Sequence, residues 1–281
     1  MSNTDIIVNT RGRIPGGAKS DIANTFRDCY SKFGHKSPYK VEIIITETEG
    51  IRIDYLREER SRLGIINIDD DSEVFSYNTW RGYPTISVSV ERLGGFSKIA
   101  RQGALRHQAA HTVLHGTLEY NIFRIPDDCK QIATIKGIST PVLENVVRSL
   151  SAAIKDCEVS KYLISFNYTD CQAAFALEWI QSDNKPDEKQ ARMDRQAKFL
   201  YLVSLLKPLL LTHDLIGMPK SKRISLERQV LLGRKMEELI EHLSEYEQNK
   251  LLQITSTIAD KLEFDTHKNV DTALHQIMGL A

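Results

Sequence analysis

The sequence predicts an α+β fold, with a small mixed α/β sheet region in its N-terminal part and a mostly α-helical C-terminal half. Three observations support this prediction. Runs rich in β-branched residues, such as the segment at 41–46, are concentrated before Pro126. After Pro126 the apolar residues recur with helical spacing. The chain of 281 residues is long enough for two domains, which we place at 1–125 and 126–281.

The N-terminal region is predicted to alternate helices with strands before one long helix. In residues 85–91 isoleucine and valine alternate with serine and glutamate, as in a half-buried strand. Because this strand directly precedes the long helix, its edge either holds an extended peptide or pairs with other strands. The predicted elements are helices at 21–33 and 51–62, strands at 41–46, 73–77 and 85–91, and a helix from about 97 to 118.

The C-terminal region, residues 126–281, is predicted to be helical throughout. Pro141 suits the first position of a helix that runs to about Phe166, because its fixed φ fits there and its missing N–H costs nothing. The hydrophilic segment 182–188, which contains Pro186, is the best linker candidate. Further helices are predicted at 169–181, at 188–211, and from Ser225 to the C-terminus with a break near Phe264.

The charge and cysteine content argue against several classes of protein. Lys plus Arg and Asp plus Glu each number 37, so no net charge draws the chain to nucleic acid or to an anionic membrane. The basic cluster at Lys220, Lys222 and Arg223 is too small to change that expectation. The four cysteines form no Cys-x-x-Cys pair, which favours free thiols in a reducing compartment.

The N-terminus has no apolar run of the kind found in secretory signals, so we expect a cytoplasmic protein. The stretch 199–218 is apolar enough to raise the question of a membrane helix. Lys207 and Pro208 interrupt it, and a charge beside a helix breaker is costly inside a bilayer. We therefore expect a buried core helix and no membrane association.

Two histidines, His107 and His111, lie four residues apart in the predicted helix at 97–118. Side chains at i and i+4 stand above one another on an α-helix, so both rings can approach one tetrahedral ion. On a helical wheel they share a sector of about 60° with Leu114 and Leu118, on the face expected to meet the core. The spacing predicts a zinc (Zn2+) site, against the alternative of two hydrogen-bonded core histidines.

Gln108 follows the first histidine directly. In the zincin signature His-Glu-x-x-His, the residue at that place is the glutamate that takes a proton from the metal-bound water. An amide has nearly the shape of a carboxylate but cannot accept that proton at neutral pH. The sequence therefore predicts a chain that binds zinc and catalyses poorly or not at all.

A third ligand is needed, and His115 is poorly placed to supply it. On a continuous helix His115 lies about 12 Å along the axis from His107, too far for two nitrogens on one ion. We therefore expect His115 to orient a ligand or face the substrate, or to be structural.

Glu158 is the expected third ligand. It lies at the edge of the apolar stripe of the helix after Pro141, where a carboxylate needs a neutralising partner such as zinc, whereas Asp156 lies on the opposite side. The remaining acidic alternatives are Glu119, Asp127 and Glu144.

The pattern of two histidines on one helix and a glutamate on a later helix resembles that of a gluzincin-type zinc metallopeptidase, with His107, His111 and Glu158 as its members. Residues 106–116 and 156–162 are similar to segments of small soluble archaeal metallopeptidases. The histidine segment is also similar to the ImmA/IrrE peptidases, which cut repressor proteins. The resemblance covers about residues 85 to 165. It implies that His107, His111 and Glu158 hold zinc, with water in the open fourth position.

The resemblance also implies hydrolysis of a peptide bond, with Gln108 standing where the family has its general base. Glutamine has nearly the shape of the glutamate that it replaces at position 108, and every expected zinc ligand is retained. This combination favours an engineered change over a natural pseudoenzyme. His115, Tyr120 and Tyr162 are the candidates for stabilising the oxyanion, and the sequence does not rank them.

Two functions are expected from the sequence. The first is a zinc endopeptidase that acts on an intracellular protein or peptide substrate. The second is a non-catalytic zinc-binding scaffold whose C-terminal helices bind a partner. The alternating charges after Lys220 indicate solvated helix faces, with a surface for a homo-oligomer or another partner as the alternative.

Overall fold

The computed structural model describes residues 4–65, 75–181, 194–218 and 224–280. It confirms the α+β class: a small mixed sheet lies in the N-terminal part and helices follow. The chain divides into two compact units, unit 1 at Met1–Asn121 and unit 2 at Ile122–Ala281. The linker predicted at 182–188 and the basic cluster at 220–223 lie outside the described residues.

Unit 1 carries the sheet and the helix with the two histidines. Its elements are β1 (Asp5–Arg11), α1 (Ala18–Phe33), β2 (Lys40–Thr46), α2 (Glu49–Leu63), β3 (Phe75–Asn78), β4 (Thr85–Ser89), α3 (Val90–Gly94) and α4 (Lys98–Leu114). Short 3-10 turns lie at Gly34–Lys36 and Leu118–Asn121. The strand β1 was not predicted. Its three apolar residues are only half-buried, and the remaining four are polar.

The sheet has the strand order β1-β2-β4-β3. Strands β1, β2 and β4 are parallel, and β3 is antiparallel to β4. The prediction of a half-buried strand at 85–91 is wrong in two respects. All five residues of β4 are buried, and helix α3 begins at Val90 after Ser89 caps it. Because β4 pairs on both sides, its backbone is not an exposed edge.

The two faces of the sheet differ in chemistry. One face is apolar and includes Ile43, Ile45, Ile86 and Val88, all fully buried. The other carries Glu42, Thr85 and Ser87 beside Ile44, and helix α2 covers it by packing Tyr55 and Leu56 on Ile44. This explains why the serines of β4 are buried: they lie under a helix instead of facing solvent.

An ion-pair network stabilises the polar face. Arg81 binds Glu42 at 2.7 Å and Glu59 of α2 at 2.6 Å, and both carboxylates are almost fully buried. Burial alone would raise the pKa of Glu59, but hydrogen bonds from Arg62 and Arg81 outweigh it and hold the pKa below its ordinary value. The guanidinium of Arg81 therefore ties α2 to the sheet, because it is the cation that both buried carboxylates share.

Helix α4 packs on α1, and a buried hydrogen bond joins them. Tyr30 Oη lies 2.8 Å from Thr112 Oγ1, which in turn donates to the Ala109 carbonyl at 2.7 Å. Burial raises the pKa of Tyr30, so its hydroxyl stays neutral. Thr112 directly follows His111, so its hydrogen bond with Tyr30 fixes the rotation of α4 about its axis.

Unit 2 is helical in its described residues, as predicted. Helix α6 is central, and it packs against α5, α7, α8, α9 and α12. The elements are α5 (Asp127–Ile135), α6 (Thr140–Ser165), α7 (Thr169–Gln181), α8 (Arg195–Ser204), α9 (Leu206–Ile216), α10 (Leu226–Ile240), α11 (Glu245–Asp260) and α12 (Thr266–Ile277). Helix α5 was not predicted, because it is short and two aspartates occupy its first turn.

The predicted helix boundaries are close for α6 and α7 and poorer beyond them. A single helix was expected at 188–211, but the described part of this stretch forms two helices that meet at Leu205. The segment after Ser225 is interrupted at 241–244 and again near Phe264. Residues 195–216 are long and apolar enough to cross a membrane by composition, but 67% of the apolar window is buried inside the protein. That burial agrees with the buried core helix expected from the sequence.

Replacing Arg81 with methionine should lower the free energy of unfolding by about 3 kcal/mol at neutral pH, because Glu42 and Glu59 then remain buried without their shared partner. The pKa of Glu59 is lowered on folding, so its contribution is present above its ordinary pKa and disappears as pH falls through the lowered value. Urea unfolding followed by tryptophan fluorescence should therefore show a smaller penalty at pH values well below the ordinary pKa of glutamate.

The matched control is Arg57→Met, which removes an exposed ion pair with Asp54 on the same helix. Its effect should stay below about 0.5 kcal/mol. Equal penalties for the two variants would contradict the assigned role of Arg81.

Candidate metal centre

Helix α4 begins and ends at sites that the local sequence determines. Ser97 caps its first turn, since its hydroxyl accepts a hydrogen bond from the Ala100 amide at 3.3 Å. The helix ends at Leu114, four residues earlier than predicted. A Cβ at Gly116 would lie 2.3 Å from the Thr112 carbonyl oxygen, so the chain turns away there only because residue 116 is glycine.

His107 and His111 lie side by side on α4, as their spacing predicts. Their ring centroids are 4.8 Å apart and the rings meet edge to face. The exposed fractions are 3% for His107 and 7% for His111, so both imidazoles are shielded from bulk water. Tyr77 of β3 stacks on His111 with a centroid distance of 5.7 Å. The edge strand β3 thus limits how the His111 ring can turn.

His115 is fully buried and contacts His111 directly. The two Nδ1 atoms are 3.3 Å apart, so one ring donates a hydrogen bond to the other. Tyr77 donates a hydrogen bond from its hydroxyl to the His115 carbonyl, and Tyr120 packs edge to face on the His115 ring. With Nδ1 of His111 engaged by His115, Nε2 is the His111 atom that can bind a metal.

Gln108 is buried, being only 8% exposed, and it lies between the two ligand candidates in the sequence. Among the described residues, its Oε1 atom has no hydrogen-bond partner. A buried acceptor without a partner costs free energy unless a water or an ion-bound group satisfies it. This atom therefore indicates a place for a polar group next to His107.

The acidic candidates on α6 point in different directions. Asp156 and Glu158 are two residues apart, so their side chains leave the helix about 200° apart. Glu158 faces α12: its Oε2 accepts from Thr266 Oγ1 at 2.8 Å and its Oε1 accepts from Asn269 Nδ2 at 2.6 Å. Asp156 contacts α9 instead, where Lys207 Nζ lies 3.5 Å from Asp156 Oδ2.

Glu158 is the acidic ligand that the sequence predicts, and this assignment stays a prediction. Helix α6 is buried around most of its circumference, so a position at the edge of one apolar stripe does not by itself mark a ligand. Within unit 1, His107 and His111 are the neighbouring side chains that could bind one metal ion.

The other candidates have contacts of their own. Glu119 is exposed and accepts a hydrogen bond from Thr117. Asp127 forms exposed ion pairs with Lys130 and Arg124, and Glu144 is exposed on α6.

Tyr162 lies on α6 against Phe166, and burial raises its pKa to about 12. Its hydroxyl is therefore a proton donor at neutral pH. Within the described part of the chain, no contact selects Tyr162, Tyr120 or His115 as an oxyanion donor.

Comparison of the chain with protein-family models, with curated proteins and with solved structures found no match. The resemblance to zinc metallopeptidases therefore stays a prediction that rests on this chain's own residues.

The His111–His115 contact yields a testable expectation. His115→Ala should weaken the binding of Zn2+ by about tenfold to hundredfold, because His111 loses the partner that orients its ring. His115→Gln should retain most of the affinity, since its amide can still donate or accept at the same place. A competition titration against a chromophoric chelator measures both constants.

The matched control is the exposed His35→Ala. It should leave the affinity unchanged, with circular dichroism confirming that each variant is folded. Equal zinc affinity in the His115→Ala variant and the parent chain would mean that His115 only packs behind the centre.

Proposed function

We propose that this chain carries the metal site of a zinc metallopeptidase, in which His107 and His111 hold Zn2+ together with one acidic ligand, Glu158 by the sequence-based expectation, and Gln108 replaces the general base. The observation that carries the proposal is the pair of buried, neighbouring imidazoles four residues apart on α4. Two histidines and one carboxylate are a known ligand set for catalytic zinc, which leaves a fourth position for water or substrate.

The surrounding residues fit such an ion. His115 can fix the tautomer of His111, as the hydrogen-bonded partners of metal-binding histidines commonly do. The unpartnered Oε1 of Gln108 can accept a hydrogen bond from a water at the centre. A bound zinc ion would polarise a substrate carbonyl and lower the pKa of its water toward neutrality.

Gln108 limits what this chain can do with that site. Its amide oxygen can accept a hydrogen bond and hold a water in place, but it cannot remove a proton from it and return that proton to a leaving amine. We therefore infer that the chain binds its substrate, an intracellular protein or peptide, and hydrolyses it slowly or not at all. A cytoplasmic location is part of this proposal.

A non-catalytic scaffold is the second candidate, and one observation favours it: Gln108 lacks the basicity that hydrolysis requires. In this alternative the centre has a structural role and the C-terminal helices bind a partner or a second copy of the chain. No nucleic-acid or membrane role is proposed.

Restoring the base separates the two functions. Gln108→Glu should raise the rate of protein or peptide hydrolysis by about 10²-fold to 10⁴-fold, because a general base contributes that much. The cleavage should stop on addition of a chelator and return with Zn2+. The measurement is proteolysis of a mixed peptide library, read by mass spectrometry.

Two controls belong to that experiment. Gln108→Ala should remain inactive, since it provides no base, and the double variant Gln108→Glu/His111→Ala should lose both zinc and cleavage. A Gln108→Glu chain that holds zinc but cleaves nothing would favour the scaffold. A parent chain that takes up no stoichiometric metal would contradict both candidates.

A further inference from the structure

A second cluster of metal-ligating side chains lies within unit 2, where α5 begins and α12 ends. Asp128 and Cys129 are in the first turn of α5, and His275 is in the last turn of α12. One ligand atom from each lies within 4.8 Å of the other two. These three residues are distinct from His107 and His111 of unit 1.

The His275 ring is held in the orientation that a metal ligand needs. Its Nδ1 lies 2.7 Å from the Asp271 carbonyl oxygen, which can only accept, so Nδ1 carries a proton. Its Nε2 lies 2.7 Å from Asp128 Oδ2, another acceptor. Two acceptors this close need a link, which is either one proton shared by the pair or a metal ion that binds both atoms. Metal-binding histidines commonly donate their other N–H to a backbone carbonyl.

Cys129 and Asp128 complete the cluster from one helix turn. The Cys129 amide donates to Asp128 Oδ1 at 2.8 Å, which turns the carboxylate back over the helix start and leaves Oδ2 toward His275. Cys129 is fully buried, whereas Asp128 and His275 are partly exposed, so an ion can enter from solvent. The carboxylate of Asp271 adds negative charge close to Cys129 and His275.

We propose that Asp128, Cys129 and His275 form a second metal site, selective for Zn2+ or a similar borderline cation. Thiolate, imidazole and carboxylate are the ligands that zinc binds in proteins, and a thiolate disfavours magnesium and calcium. Two atoms bound to one zinc lie at most about 4 Å apart, so the ligand atoms need only small shifts. The ion takes the place of a proton on Nε2 and ties α5 to α12.

This site can be tested independently of the proposed function because it alone contains a cysteine. The full chain is stripped with a chelator and titrated with Co2+, whose bond to a thiolate gives a charge-transfer band in the near ultraviolet. The parent chain should show the band, and so should His111→Ala, which damages only the proposed centre on α4. Cys129→Ser should abolish the band, and His275→Gln should weaken Co2+ binding at this site by more than about tenfold.

Two matched variants serve as controls. Cys171→Ser replaces a buried cysteine outside both proposed sites, and His35→Gln replaces an exposed histidine. Both should keep the band. If Cys129→Ser does not fold, as judged by circular dichroism, His275→Gln decides the question, because its side chain is largely at the surface.

Absence of the band in the parent chain at saturating Co2+ would overturn the proposal. So would a band that survives either Cys129→Ser or His275→Gln at parental affinity. In either case the cluster is a protonated histidine paired with Asp128, with no metal function.

Discussion

The close approach of the Nδ1 atoms of His111 and His115 is the constraint on which the candidate metal centre depends. The last two turns of α4 and the residue after them bring the imidazoles of His107, His111 and His115 next to one another. Rings placed so closely could adopt several tautomers and rotations. The His115 partner restricts His111 to one arrangement, with Tyr77 packed against the ring and hydrogen-bonded to the His115 backbone. The Tyr30–Thr112 bond fixes the helix itself. Local spacing provides the histidines, but tertiary packing orients them.

The fold class was accessible from the sequence because it depends on periodicity, which is local. The strand β2 and the helices α1, α2, α6 and α7 follow from such patterns to within a few residues. The failures have tertiary causes. The serines of β4 look solvent-facing in the sequence but lie beneath α2, and β1 is recognised as a strand only by its pairing with β2. The end of α4 depends on Gly116 and its approach to Thr112.

The candidate site divides in the same way. His107, Gln108 and His111 could be identified from the sequence, since an i, i+4 pair on a helix constrains its own geometry. The acidic ligand has no such local constraint. Glu158 accepts hydrogen bonds from Thr266 and Asn269, more than a hundred residues away in the chain. A pattern on one helix carries no information about such partners, so the assignment of Glu158 as a ligand stays a prediction.

The pairing of Asp156 with Lys207 has a consequence for the cohesion of unit 2. The Lys207 ammonium of α9 lies 3.5 Å from Asp156 Oδ2 of α6 and 5.3 Å from the centre of the Trp179 ring of α7. A cation held by a carboxylate and by the face of an aromatic ring contacts two neighbours at once. Neutralising this one amine would therefore weaken the attachment of α9 to two other helices in a single step.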